Sequence, residues 1–270
     1  MTETIQCILA GETPPPIAGD AIAAKITELF AKGGAKLEAS ALFGGDNASA
    51  AMIEVGETTI SIRAFAQPIP PALVTEAAAL ERRPTHSDSL FAADKAHVAM
   101  TVASDCPDHG SSIEAARALT AVAAAMADLH GLDHGLWISG RKIWAKEDLA
   151  RAGDATAGSD APGDLWVGAN FFQGDKSAPG APQVGGYTYG LAPFIGRELE
   201  MEPEPGDPRE AMMRFMALVK WFLRDGLFLG SGDTIGGEGA ELRATFSDAG
   251  KRVKAPVVTV VNAVPAEGAE

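Results

Sequence analysis

The stretch Lys95-Ala96-His97-Val98-Ala99-Met100-Thr101-Val102-Ala103-Ser104 places Val98, Met100 and Val102 on one face of an extended chain. That two-residue period predicts a strand with one side in a core. Shortly after it, Ser111-Ser112-Ile113-Glu114 has the spacing of a capping box, Ser111 at the N-cap and Glu114 reaching back, so a helix is predicted to run to about Leu129. Alanines at 115, 116, 118, 121, 123, 124 and 125 let that helix approach a sheet closely.

Toward the N-terminus, Thr4 to Ala10 reads as a strand and Pro14-Pro15-Pro16 ends it, because proline has no amide to donate to a ladder. Gly19 to Phe30 carries Ile22, Ile26, Leu29 and Phe30 at helical spacing, with Gly33-Gly34 as the stop. Strands follow at 36–43, 48–55 and 58–65, then a helix at 71–80. Arg82 to Asp94, with Pro84, Ser87, Asp88 and Ser89, has no clear period and is the predicted connection between a lobe at 1–83 and a lobe at 92–264.

Toward the C-terminus, strands are predicted at 135–139, 165–172 and 187–201, between Gly- and Pro-containing loops at 153–163 and 174–186. Asp207-Pro208-Arg209-Glu210 opens a helix, with Asp at the N-cap and Pro at N1. It carries the stripe Met212, Phe215, Val219 and Phe222 to about Arg224, and Gly226 stops it. Strands at 241–246 and 253–262 precede an acidic tail. Each half reads strand, helix, three strands, helix. The expected fold class is therefore α+β: antiparallel sheets with helices packed on one face, as two pseudo-repeated lobes or as one merged domain. A doubly wound α/β fold ranks second, for it needs more regular alternation of strand and helix.

Lys and Arg total 22 against 36 Asp and Glu, a net charge of −14 in 270 residues, which repels nucleic acid and suits solubility or a basic protein surface. No apolar run reaches membrane-spanning length and Met1 to Glu12 lacks a secretory pattern, so no membrane is expected and the cytoplasm is the expected compartment. Only Cys7 and Cys106 are present, far apart, so no disulfide framework is written here.

The segment Gly186-Tyr187-Thr188-Tyr189-Gly190-Leu191, followed by Gly196-Arg197-Glu198-Leu199-Glu200, a helix and Gly232-Asp233-Thr234-Ile235-Gly236, resembles the bacterial family named domain of unknown function 4261. The similarity runs from about Lys95 to Gly237 and is thin over the first eighty residues. It implies a bacterial, cytoplasmic protein and transfers no catalytic residue. It draws attention to Glu198, Glu200, Asp233 and Thr234.

Other constellations are weighed against structural roles. Cys106-Pro107-Asp108-His109 with His130 and His134 looks metal-like, yet a helix from 111 to 129 is about 28 Å long, so its two ends cannot share one ion. Capping the helix C-terminus is the expected role of His130 and His134. Gly230 to Gly237 lacks the lysine and the following helix of a phosphate loop, and Asp233 and Thr234 are expected to bond local amides. His97 is expected to be a hydrogen-bonded structural histidine, and Trp137, Trp144, Trp166 and Trp221 are expected in the core.

The most distinctive feature is Glu198-Leu199-Glu200-Met201-Glu202-Pro203-Glu204-Pro205. In an extended chain Glu198, Glu200, Glu202 and Glu204 project from one side while Leu199 and Met201 face inward. Such a comb can meet lysines and arginines of a partner or a hard cation, or form an ordinary solvated strand face with Pro203 and Pro205 guarding an edge. The functional expectation is a non-enzymatic acidic protein-binding protein of inhibitor or immunity type, with Glu198, Glu200, Glu202, Asp233 and Thr234 as candidate binding residues. No metal and no cofactor is expected. The alternative is an enzyme or small-molecule binder using carboxylates in a cleft between the two lobes.

Overall fold

A computed structural model describes residues 4–32, 38–45, 48–80, 90–156, 161–174, 182–236 and 241–263. It divides into two compact units, Met1–Gly168 and Ala169–Glu270, and the fold is α+β. The predicted stop at Gly33-Gly34, residues 82–89 of the predicted connection, and the acidic tail from 264 lie outside the described residues.

The first unit is built on a seven-stranded antiparallel sheet. Its strands are β1 (Gln6–Gly11), β2 (Ala39–Phe43), β3 (Ala50–Val55), β4 (Thr58–Phe65), β5 (Ala96–Val102), β6 (Gly135–Trp137) and β7 (Lys142–Trp144), in the order β2-β3-β4-β5-β1-β6-β7. The boundary expected between 83 and 92 is therefore corrected. β5 is an internal strand of this sheet, paired with both β4 and β1, and Val98, Met100 and Val102 are buried as the alternation predicts.

Three helices, α1 (Gly19–Lys32), α3 (His109–His130) and α4 (Lys146–Thr156), pack with one another, and α3 rests on β1, β4 and β5. All seven alanines singled out in α3 are buried. Its cap differs from expectation. Asp108 is the N-cap, accepting from the Ser111 amide at 2.8 Å, while the Ser111 hydroxyl accepts from the Asp108 amide at 3.1 Å. An acid before the predicted serine completes the box better than Glu114, which pairs with Arg117 instead. Helix α2 (Pro71–Leu80) joins a second cluster in which Ala77, Leu73 and Val74 meet Ile8, Ala10 and Leu136. Since β1 alternates faces, Cys7 and Leu9 lie on one side and Ile8 and Ala10 on the other, so helices serve both faces of this sheet.

Strand β7, helix α4 and the short helix α5 (Gly163–Trp166) were not apparent in the sequence. Together they complete a stack of indoles: Trp137 lies 5.1 Å from Trp144 and 6.2 Å from Trp166, nearly parallel to both, and all three are fully buried. The Trp144 indole donates to the Leu165 carbonyl, and the Trp166 indole to the Thr120 hydroxyl, each at 2.9 Å.

The second unit has a six-stranded mixed sheet. Strands β8 (Gly168–Gln173), β9 (Gln183–Tyr189), β10 (Glu198–Pro205), β11 (Thr234–Ile235), β12 (Leu242–Ser247) and β13 (Val257–Asn262) lie in the order β11-β12-β13-β10-β9-β8, with β10 parallel to β13. The single strand expected over 187–201 is two strands separated by helix α6 (Ala192–Ile195), because Pro193 favours a first helical turn and Gly196 ends it at φ 75°. Helix α7 (Pro208–Asp225) begins and ends as its sequence predicts, capped by Asp207 and closed by Gly226, and it buries Phe215, Val219 and Phe222. Among the described residues no helix is long and apolar enough to cross a membrane.

Close packing around the indole stack yields a test. A β-carbon at Gly140 would collide with the Trp166 carbonyl and crowd the Trp137 ring at 3.2 Å. Gly140→Ala is expected to destabilise the protein by about 2 kcal/mol or more, read by urea unfolding followed through tryptophan fluorescence.

Candidate functional site

β10 lies inside its sheet, between β13 and β9, and its first four residues, Glu198 to Met201, are buried on both faces. Leu199 and Met201 are buried as expected. The opposite face does not meet solvent. Glu198, Glu200 and Glu204 are only 3%, 4% and 8% exposed, so the open comb of carboxylates is corrected to a row of internal ones.

Each carboxylate has a local reason to be inside. Glu198 accepts from the Thr188 hydroxyl at 2.6 Å and from the amides of Gly190, Leu191 and Ala192 at 2.8, 3.1 and 3.2 Å. These amides belong to the turn leading from β9 into α6, which has no ladder partner of its own. Glu200 does the same for the β12–β13 connection, accepting from Lys251, Arg252 and Val253 at 2.9, 2.7 and 2.9 Å. A β-bulge between Met201 and Glu204 breaks the alternation. Glu204 then bonds the Asn262 amide at 2.9 Å, the Asn262 side chain at 2.6 Å and the Arg214 guanidinium of α7 at 2.6 Å. Glu202 alone is half-open, and the Lys251 ammonium sits 2.6 Å from it.

Asp233 accepts from the Gly230 amide at 2.7 Å, the local turn bond expected of it, while Thr234 opens β11 with its side chain exposed. The structure thus brings Glu198, Glu200 and Glu202 onto one strand face and leaves Asp233 in a turn and Thr234 at the start of β11. His97 belongs to the first unit, its Nδ1 lying 2.7 Å from the Gln67 carbonyl and its ring stacked on Phe65.

His134 is not the expected helix cap. Its Nδ1 lies 2.6 Å from Asp133 and its Nε2 2.7 Å from Asp94, so the imidazole bridges two carboxylates and ties the approach to β5 onto the approach to β6. His130 ends α3, and Gly131, in the left-handed region, closes the helix by donating to the Ala127 carbonyl. Among the described residues no group of three or more His, Cys, Asp or Glu side chains is placed to hold a metal ion.

Sequence reasoning missed a groove of about 540 Å³ in the first unit, formed where the β3–β4 turn, the loop after β5 and the first turns of α3 converge. Glu57, Asp105, Asp108 and Glu114 line it, with Arg117 and Cys106. Asp108 is engaged in the cap and Glu114 with Arg117, which leaves the exposed Glu57 and Asp105 without a protein partner among the described residues. The signal available was Asp105-Cys106-Pro107-Asp108 directly ahead of a helix. Burial and the adjacent Asp105 and Asp108 charges push the Cys106 thiol up, and burial pushes Cys7 up much further. Neither thiol has the low-pKa surroundings of a nucleophile. No family model, curated protein or solved structure matches the chain.

Two measurements follow from these environments. Burial raises the Glu198 carboxyl above its ordinary range, opposed by its four hydrogen-bond donors. A raised folded-state pKa adds stability at low pH that is lost as pH rises through it. Wild type should therefore gain on Glu198→Gln as pH is lowered from about 8 to 5, measured by urea unfolding; the opposite slope would show that the donors prevail. Removing a negative neighbour should lower the Cys106 pKa, so Asp105→Asn is expected to speed iodoacetamide labelling of Cys106 at neutral pH roughly two- to threefold.

Proposed function

We propose that the chain is a non-enzymatic, acidic protein-binding protein of a bacterial cytoplasm, of inhibitor or immunity type, that receives a basic side chain of its partner in the groove of the first unit. The supporting observation is the pairing of concavity with sign: four carboxylates face one guanidinium in a space of about 540 Å³, and Glu57 and Asp105 are unengaged. A lysine or arginine entering there exchanges water for carboxylate contacts while its aliphatic stem lies along Pro107 and Ala118. The overall charge of −14 steers such a partner in and makes association salt-dependent.

The resemblance to the bacterial domain of unknown function 4261 belongs to this same proposal and adds no chemistry to it. Glu198 and Glu200 enter no longer as a recognition surface, since backbone amides of the chain already occupy them. The groove lies within the volume range of small-molecule sites, which favours a small organic amine as the second reading.

Fluorescence polarisation with a labelled lysine- and arginine-rich peptide tests the proposal. Glu57→Lys combined with Asp105→Lys should weaken binding about tenfold or more and flatten its salt dependence. Glu241→Lys, an exposed reversal in the second unit, should act only through overall charge. Equal effects of the groove and control reversals would overturn the assignment. Spermidine displacing the peptide more strongly than free lysine or arginine would favour the second reading.

A further inference from the structure

The connection between β12 and β13, residues 248–256, contains three successive amides, those of Lys251, Arg252 and Val253, that converge on the two oxygens of Glu200. Consecutive N–H groups aimed at one oxyanion form an anion-binding concavity. The donors come from a segment some fifty residues from Glu200 in sequence and depend only on the carboxylate's charge and position. A β-carbon at Gly250 would collide with that carboxylate, so the loop is shaped around the anion.

Cationic side chains stand beside the same point. Lys251 and Arg252, with Phe172, Gly186, Glu200 and Glu202, line a cavity of about 110 Å³. The Lys251 ammonium engages Glu202, and the Arg252 guanidinium lies 4.1 Å over the Phe172 ring. Val253, the third donor, is buried at 3% exposure, so its amide has no access to bulk water as a substitute partner.

We propose that residues 250–253 are a binding nest for a small oxyanion of the carboxylate or phosphate class, filled in this structure by Glu200 as a tethered ligand. The β12–β13 tip is then a strap fastened to β10 by this plug, independently of the groove in the first unit. A tethered side chain acts at an effective concentration in the millimolar range or above, so free anions do not displace it from the wild-type chain. Removing the side chain leaves a space of carboxylate size lined by unfilled donors.

Thermal unfolding of full-length Glu200→Ala in formate, phosphate or chloride at matched ionic strength tests this. In chloride the variant should melt lower by about 10 °C. Formate at about 0.1 M should restore at least half of that loss in a saturable way, while the wild type shifts no more than in chloride. Recovery in phosphate as well would extend the nest to tetrahedral oxyanions, and recovery in formate alone would restrict it to carboxylates; both support the assignment. Glu200→Gln fills the space and sets an amide donor against donors, so it should lose stability and show no recovery. If Glu200→Ala does not fold in chloride, soluble yield after refolding in formate against chloride is the readout. Identical behaviour in all three salts, or equal recovery of the Gln variant, overturns the proposal.

Discussion

The second unit depends on a constraint that no strand ladder satisfies: two turns present runs of backbone amides that no neighbouring strand accepts from. A buried amide without an acceptor costs about 1–3 kcal/mol, and of the six amides in the turns at 190–192 and 251–253 those of Gly190, Leu191 and Val253 are buried and the other three partly so. Glu198 and Glu200 answer both sets from adjacent same-face positions on one strand. Backbone amides make most of the hydrogen bonds to both carboxylates, joined at Glu198 by the Thr188 hydroxyl and assisted at Glu200 by the nearby Lys251 charge. Their environment is polar backbone, which orients them as tightly as a charge partner would and leaves no ammonium to be buried alongside.

The same strand changes its logic after the bulge. Upstream of it, alternation separates carboxylates from the Leu199 and Met201 face; downstream, Glu204 turns to Arg214 and Asn262 and so links β10, α7 and β13. One eight-residue strand thereby fastens a turn, a hairpin tip and a helix. In the first unit the comparable role falls to apolar packing: alanines of α3 against the sheet, and three indoles between β6, β7 and α5.

Strand alternation and helix punctuation were legible where side chains of one kind recur. β5, α1 and α7 are marked in the sequence by period and stop or start residues, and α+β follows from the order of the elements. The domain boundary was not legible, because pairing of β5 with β1 joins residues about ninety apart and leaves no mark in local sequence. The glutamate run is extended, as its alternation predicts, and three of its four carboxylates are buried. Periodicity reports which side chains share a face; it says nothing of a loop from fifty residues away that folds over that face. The groove at Glu57 and Asp105 escaped for the same reason, its walls coming from β3–β4 and from the lead into α3.

Stacking of Trp137, Trp144 and Trp166 has a spectroscopic consequence. Near-parallel indoles 5.1 and 6.2 Å apart couple their electronic transitions, so this half of the chain should carry an intense aromatic circular-dichroism band that vanishes when the stack opens. Trp221, the remaining indole, belongs to the other unit and packs against the phenyl rings of Phe222 and Phe228. Light absorption thus offers separate reporters for the two units, without any label attached.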